Sequence, residues 1–165
     1  MIRTALAAVL AAVLAAFVAA PAGAADMYAG VRFGQARYNT TGMAKPPTAI
    51  GVLGGYTVSP NLAVEAEYTD LGNTGSSRAT AMGVSALAFY PGDLPFSLFA
   101  KLSYSSSTWK VLNQVQYNSS FTHGLGGQYD INQLMSVRFS WDRYLVGNQV
   151  AISVDMLSVA GMVRF

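Results

Sequence analysis

Cysteine is missing from all 165 residues. That removes a disulfide framework, a cysteine-based metal site and the N-terminal cysteine a lipid anchor would need. Charge is scarce too. Lys, Arg, Asp and Glu make up 11% of the chain, the formal net charge is +2, and no run of one sign occurs, so nucleic acid is not implied as a partner. There is one histidine, His123. One imidazole with scattered carboxylates does not make a metal site, and no cofactor is implied. Beyond residue 25 no stretch holds the 18 or more apolar residues of a membrane-spanning helix.

The one long apolar run lies at the start. Arg3 precedes an Ala/Val/Leu stretch from Ala5 to Ala20, Pro21 breaks it, and Ala22-Gly23-Ala24 follows. A short basic region, an apolar stretch and small residues at a cleavage site form an export signal. Residues 1–24 are expected to be removed, with cleavage after Ala24 or Ala25, leaving 25–165 as one domain. An exported chain that enters a membrane without apolar helices does so as a closed barrel, because only closure satisfies every backbone group in lipid.

Eight alternating segments are predicted, at 27–38, 48–58, 62–71, 79–90, 96–107, 119–129, 134–145 and 152–165. Compact turn sequences separate some: Ser59-Pro60-Asn61, Pro91 to Pro95 and Asp130 to Gln133. Longer polar loops, Asn39 to Pro47, Gly72 to Arg78 and Thr108 to Asn118, separate others. Short turns on one side and longer loops on the other match an outer-membrane barrel with periplasmic turns and extracellular loops.

Side-chain alternation then assigns the faces. Leu62, Val64, Ala66 and Tyr68 oppose Glu65, Glu67 and Thr69. Phe96, Leu98, Ala100, Leu102 and Tyr104 oppose Ser97, Phe99, Lys101, Ser103 and Ser105. Met135, Val137, Phe139 and Trp141 oppose Ser136, Arg138, Ser140 and Asp142. In the first strand, Ala29, Val31 and Phe33 oppose Tyr28, Gly30, Arg32 and Gly34. The first-named set of each pair is expected to face lipid. A one-residue slip would turn Glu65, Glu67, Lys101 and Arg138 into hydrocarbon, at up to ~2–4 kcal/mol per midplane cation. The fourth strand is ambiguous in register. Tyr56, Tyr68, Tyr104, Tyr129, Trp141 and Phe165 fall near strand ends on apolar faces, where interfacial girdles form.

The inward faces collect Arg32, Glu65, Glu67, Lys101, Arg138, Asp142 and Arg164. In so narrow a lumen these charges must pair to offset desolvation. A structural polar core is the main expectation. The alternative is a gate in which Glu65 or Glu67 exchanges between Lys101 and Arg138. An enzyme is not expected, since His123 falls on the lipid-facing parity with no orienting acid nearby. The C-terminal strand carries Leu157, Val159, Val163 and Phe165 on its apolar face, an ending similar to the assembly signal of outer-membrane barrels.

With these residues in view, the chain resembles the eight-stranded transmembrane domain of the OmpA family. The segments that carry the resemblance span 27–165. They are Tyr28-Ala29-Gly30, Gly54-Gly55-Tyr56, Tyr68-Thr69-Asp70-Leu71-Gly72 with Glu65 before it, and Phe96 to Lys101-Leu102. Gly126-Gly127-Gln128-Tyr129-Asp130-Ile131, Arg138 to Tyr144 and Val163-Arg164-Phe165 complete them. The resemblance implies an all-β, antiparallel up-and-down transmembrane barrel with an interior salt-bridge network on Arg32, Glu65, Lys101 and Arg138. Gln128 and Ser140 stand where related barrels often carry acids, which weakens a switching gate. No periplasmic peptidoglycan-binding domain is expected to follow the barrel. The expected role is structural, with extracellular loops as the interaction surface. A narrow, low-conductance pore and a loop-mediated adhesin are the alternatives. Expected partners are outer-membrane lipid, the barrel-assembly machinery during biogenesis, and an extracellular ligand the sequence does not identify.

Overall fold

The computed structural model describes residues 27–39, 46–74, 77–90, 95–111, 114–146 and 152–165. The export segment and its cleavage site lie outside the described residues, as does most of the 39–47 loop. Eight strands follow in order: β1 (Met27–Tyr38), β2 (Thr48–Ser59), β3 (Leu62–Thr74), β4 (Ser77–Tyr90), β5 (Phe96–Val111), β6 (Gln114–Asp130), β7 (Met135–Val146) and β8 (Ile152–Arg164). Each pairs antiparallel with its sequence neighbour, and β1 pairs with β8 to close the barrel.

The registers fix the stagger. From Val31 the paired residues lead through Val52, Tyr68 and Met82 to Ser106 on β5. In the other direction they lead through Gly161, Val137 and Tyr129 to Phe96 on the same strand. The two routes arrive ten residues apart, so the sheet can close only with strands tilted by about 35–45°. Both ends of the described barrel, Met27 and Phe165, lie on the side of the short turns, which is the periplasmic side of such barrels. A row of paired residues therefore climbs toward the exterior on passing from β6 through β7 and β8 to β1.

Alternation between lumen and outer wall runs along every strand. Leu98, Leu102, Phe139 and Leu157 are more than half exposed on the outer wall, while Arg32, Glu65, Thr69 and Asp142 are fully enclosed. Ala29 shares the outward parity of Val31 and Phe33 but is buried. The register of β4 is now fixed: Ala79, Ala81, Ser85 and Leu87 point inward, and Met82, Val84 and Tyr90 point out.

Two expected loops are mostly strand. β3 and β4 pair up to Thr74 and Ser77, and β5 and β6 pair up to Val111 and Gln114. The stretch 108–118 contains Trp109, Val111, Val115 and Tyr117, strand-forming residues that continue the ladder beyond the lipid. On β3 the ladder slips between Asp70 and Asn73. Gly72 sits there with φ of +84°, a conformation that glycine adopts without the steric cost of a side chain. The Asp70 side chain accepts a hydrogen bond from its N–H at 3.0 Å.

The lumen is filled in layers. On the extracellular side Ala36, Tyr38, Ala49, Leu71, Trp109, Val154 and Met156 pack together, with Tyr38 edge-on to Trp109 at a centroid distance of 5.4 Å. On the periplasmic side Tyr28, Leu53, Leu87, Phe99 and Met162 form a second apolar cluster, joined by Phe89. The charged residues lie between and within these clusters. The interior is thus less polar than inward charges alone implied.

Candidate functional site: the charged lumen

Four strands at separate positions around the wall supply a closed square of charge. Arg32 of β1 lies 3.2 Å from both Glu67 of β3 and Asp142 of β7. Lys101 of β5 lies 2.9 Å from Glu67 and 2.7 Å from Asp142. Each cation meets both acids and each acid meets both cations, so the group is neutral. Arg32 also donates to the hydroxyls of Thr69 and Tyr144, and Tyr144 donates to Glu67 at 3.3 Å.

Glycine makes room for this square. A Cβ on Gly51 would lie 2.9 Å from the Thr69 hydroxyl and 3.1 Å from Arg32 Nε, and one on Gly124 would collide with the Asp142 carboxylate. Any larger residue there would push a charged group out of position.

A second unit lies toward the periplasm. Arg138 of β7 pairs with Glu65 of β3 at 2.5 Å. Tyr28 donates to the same carboxylate at 3.0 Å. The guanidinium of Arg138 is surrounded by the rings of Phe99, Tyr28 and Phe89 at 5.1, 5.5 and 5.9 Å, a favourable setting for a desolvated cation. Gln128 accepts from Arg138 at 3.2 and 3.0 Å and donates to Asp130 at 3.0 Å. Asp130 in turn accepts from Arg164 at 3.0 Å. A continuous polar chain therefore runs from Glu65 to the periplasmic rim.

All seven charged residues expected inside occupy the inward parity, with Arg164 at the rim. Their grouping differs from the one implied by family resemblance. Arg32 and Lys101 belong with Glu67 and Asp142, whereas Glu65 and Arg138 form a separate pair. Gln128, in place of an acid, extends that pair rather than offering Arg138 a second anion. Tyr28, Thr69 and Tyr144 are network members that charge patterning alone does not single out. Their signal is parity, each standing an even number of residues from a lumenal charge. Among the described residues no cluster of His, Asp and Glu suited to a metal ion occurs. His123 is on the outer wall, edge-on to Trp141 at 6.0 Å.

On the C-terminal strand, Leu157, Val159 and Val163 are exposed outward, and the Phe165 N–H bonds to the Met27 carbonyl at 3.0 Å. Tyr56, Tyr104 and Tyr129 are exposed on the outer wall.

Comparison with solved structures gives the same architecture. Neisserial surface protein A superposes with a TM-score of 0.66 at 17% identity, over 84% of this chain and 97% of that one. The N-terminal β-barrel domain of Pseudomonas aeruginosa OprF gives 0.63 at 13% identity, over 83% and 97%. Ail, the attachment invasion locus protein of Yersinia pestis, gives 0.56 at 17% identity, over 85% and 99%. No curated protein matches by sequence. The family model for the outer membrane protein beta-barrel domain matches residues 7–165, and the chain, a closed eight-stranded barrel of the bacterial outer membrane, belongs to that family.

Proposed function

We propose that this protein is a non-conducting structural barrel of the outer membrane whose extracellular hairpins act as its interaction surface. The observation that carries this reading is the filled lumen. A water path would have to cross the Tyr38–Trp109 layer, the Arg32/Glu67/Lys101/Asp142 square and the Phe89/Phe99/Leu87 layer in series. The square also leaves the gate without a vacant partner, since Glu67 is already held by both Lys101 and Arg32. Planar bilayer recordings provide the test. The parent barrel and the Glu65→Ala/Glu67→Ala variant should both be silent, and steady unitary currents from the parent would defeat the reading.

Residues 1–24 act as the cleaved export signal in this reading, and the assembly machinery engages the strand bearing Leu157, Val159, Val163 and Phe165. It does not require catalysis.

An adhesive role has its own support. β5 and β6 are 16 and 17 residues long, about six more than the ~9–11 that span a bilayer. The hairpin therefore projects outward, with Tyr117 68% and Val115 46% exposed and Lys110 paired beside Val115. Exposed apolar and aromatic side chains on a projecting element suit protein contact. By name, one structural neighbour is an attachment protein and another a surface protein. Cells displaying a Val115→Ser/Tyr117→Ser variant should bind host-cell surfaces less than cells displaying the parent. Equal binding would remove this hairpin from the role.

A further inference from the structure

The outer wall of β6, β7, β8 and β1 carries a feature that the lumen does not explain. His123, Arg143, Asp155 and Arg37 form one continuous row of paired residues across these four strands. All four point outward, because the residues beside them, among them Thr122, Asp142, Tyr144, Val154, Met156, Ala36 and Tyr38, are buried inside. The row climbs with the barrel tilt, so His123 lies deepest and Arg37 nearest the exterior.

Below this row, the next two toward the periplasm are Leu125–Trp141–Leu157–Gln35 and Gly127–Phe139–Val159–Phe33. They form an open groove of about 500 Å³, lined chiefly by Phe33, Leu125, Phe139, Trp141, Leu157 and Val159. The backbone at Gly126 and Gly127 contributes to its wall.

The arginines above the groove have donors to spare. Arg143 uses Nε and Nη2 on Asp155 at 2.7 and 2.9 Å and lies over the Trp141 ring at 5.2 Å. Its side chain remains 42% exposed, and Nη1 has no acceptor among the described residues. Arg37 is exposed and makes no ion pair among the described residues. Two guanidinium groups, one anion between them and an apolar groove beneath match a phosphate joined to hydrocarbon chains, since arginine forks bind phosphate oxygens in pairs.

We infer that this wall is a binding site for a phosphorylated lipid of the outer leaflet, its phosphate held by Arg37 and Arg143 and an acyl chain lying in the groove below. The inference rests on the barrel standing in the outer membrane and is independent of the hairpin reading. The opposite wall offers an internal contrast. It has a larger apolar groove, of about 660 Å³, lined by residues including Val52, Tyr68, Met82 and Phe165. Arg78, paired with Asp70, is the one arginine of the described β2, β3 and β4, so that wall presents no pair of guanidinium groups.

Native mass spectrometry of the detergent-solubilised barrel tests the inference, with diphosphorylated lipid A as the probe and the same lipid stripped of both phosphates as control. One diphosphorylated lipid should be retained per barrel. Arg37→Ala and Arg143→Ala should each weaken it roughly ten-fold, the scale of a charge-assisted hydrogen bond. The stripped lipid should bind the parent about as weakly as the diphosphorylated lipid binds the variants. Val159→Trp, which fills the groove, should weaken both lipids. Heat-modifiable gel mobility establishes that each variant is folded. Arg37→Gln, at an exposed position, serves if Arg143→Ala fails to fold. Equal affinity of parent and arginine variants, or of the two lipids for the parent, would overturn the inference. So would a lipid-independent dimer cross-linked through the single thiol of a Phe139→Cys variant, the chain having no cysteine of its own.

Discussion

Glu65 and Glu67 stand two residues apart on one strand face, yet their surroundings divide them. Glu67 shares two cations, while Glu65 has Arg138 and the Tyr28 hydroxyl. Removing one member of a buried pair leaves an uncompensated charge and costs about 3–5 kcal/mol. Arg138→Ala should therefore shift the urea midpoint of the refolded barrel strongly downward. Glu65→Leu combined with Arg138→Met should recover most of that loss, because a well-packed apolar pair can replace an ion pair. Additive losses in the double variant would show that the pair has a role beyond mutual neutralisation. Gly124→Val should also destabilise, since its Cβ would meet the Asp142 carboxylate and the Trp141 carbonyl. Parity made the inward set of charges legible in the sequence. Which acid meets which cation was not legible, because the partners lie on β1, β3, β5 and β7 and meet across the lumen only after the stagger is fixed.

Strands with a polar face declared their orientation, and β4 did not. Its run Ala79-Thr80-Ala81-Met82-Gly83-Val84-Ser85-Ala86-Leu87-Ala88-Phe89 is apolar on both parities, because its inward side supplies Leu87 and Phe89 to the lumenal core. The assigned facing makes a directional prediction. Ala86→Arg, on the outer wall between Val64 and Leu102, should lower stability by ~2–4 kcal/mol, as arginine does near the midplane. Thr80→Arg, on the same wall but close to the extracellular end, should cost about 0–1 kcal/mol. Folding titrations into lipid vesicles measure both. A larger loss from Thr80→Arg than from Ala86→Arg would contradict the register. The hairpins are longer than the sequence pattern predicts for a different reason. Polar residues at 108–118 read as loop, whereas a ladder that leaves the membrane keeps pairing with either face in water.

The closed eight-stranded barrel was legible from weak alternating segments and from the lack of any later helical span, since lipid admits few other solutions. The two apolar layers of the lumen were hidden. An inward Leu53, Val154 or Met156 has the same character as a lipid-facing residue one position away, and only packing distinguishes them. Those layers matter for transport because they act in series with the charged square, and a path conducts only if every constriction opens. Trp109→Ala empties the largest side chain of the extracellular cluster, which should cost about 3–5 kcal/mol and loosen Tyr38, its edge-on partner. The charged square and the Leu87/Phe99 layer would still close the lumen beneath it. The variant is therefore expected to unfold at lower urea concentration than the parent while remaining silent in planar bilayers. Steady currents from a folded Trp109→Ala barrel would mean that one aromatic was the whole seal, and that the layers below it are permeable to ions.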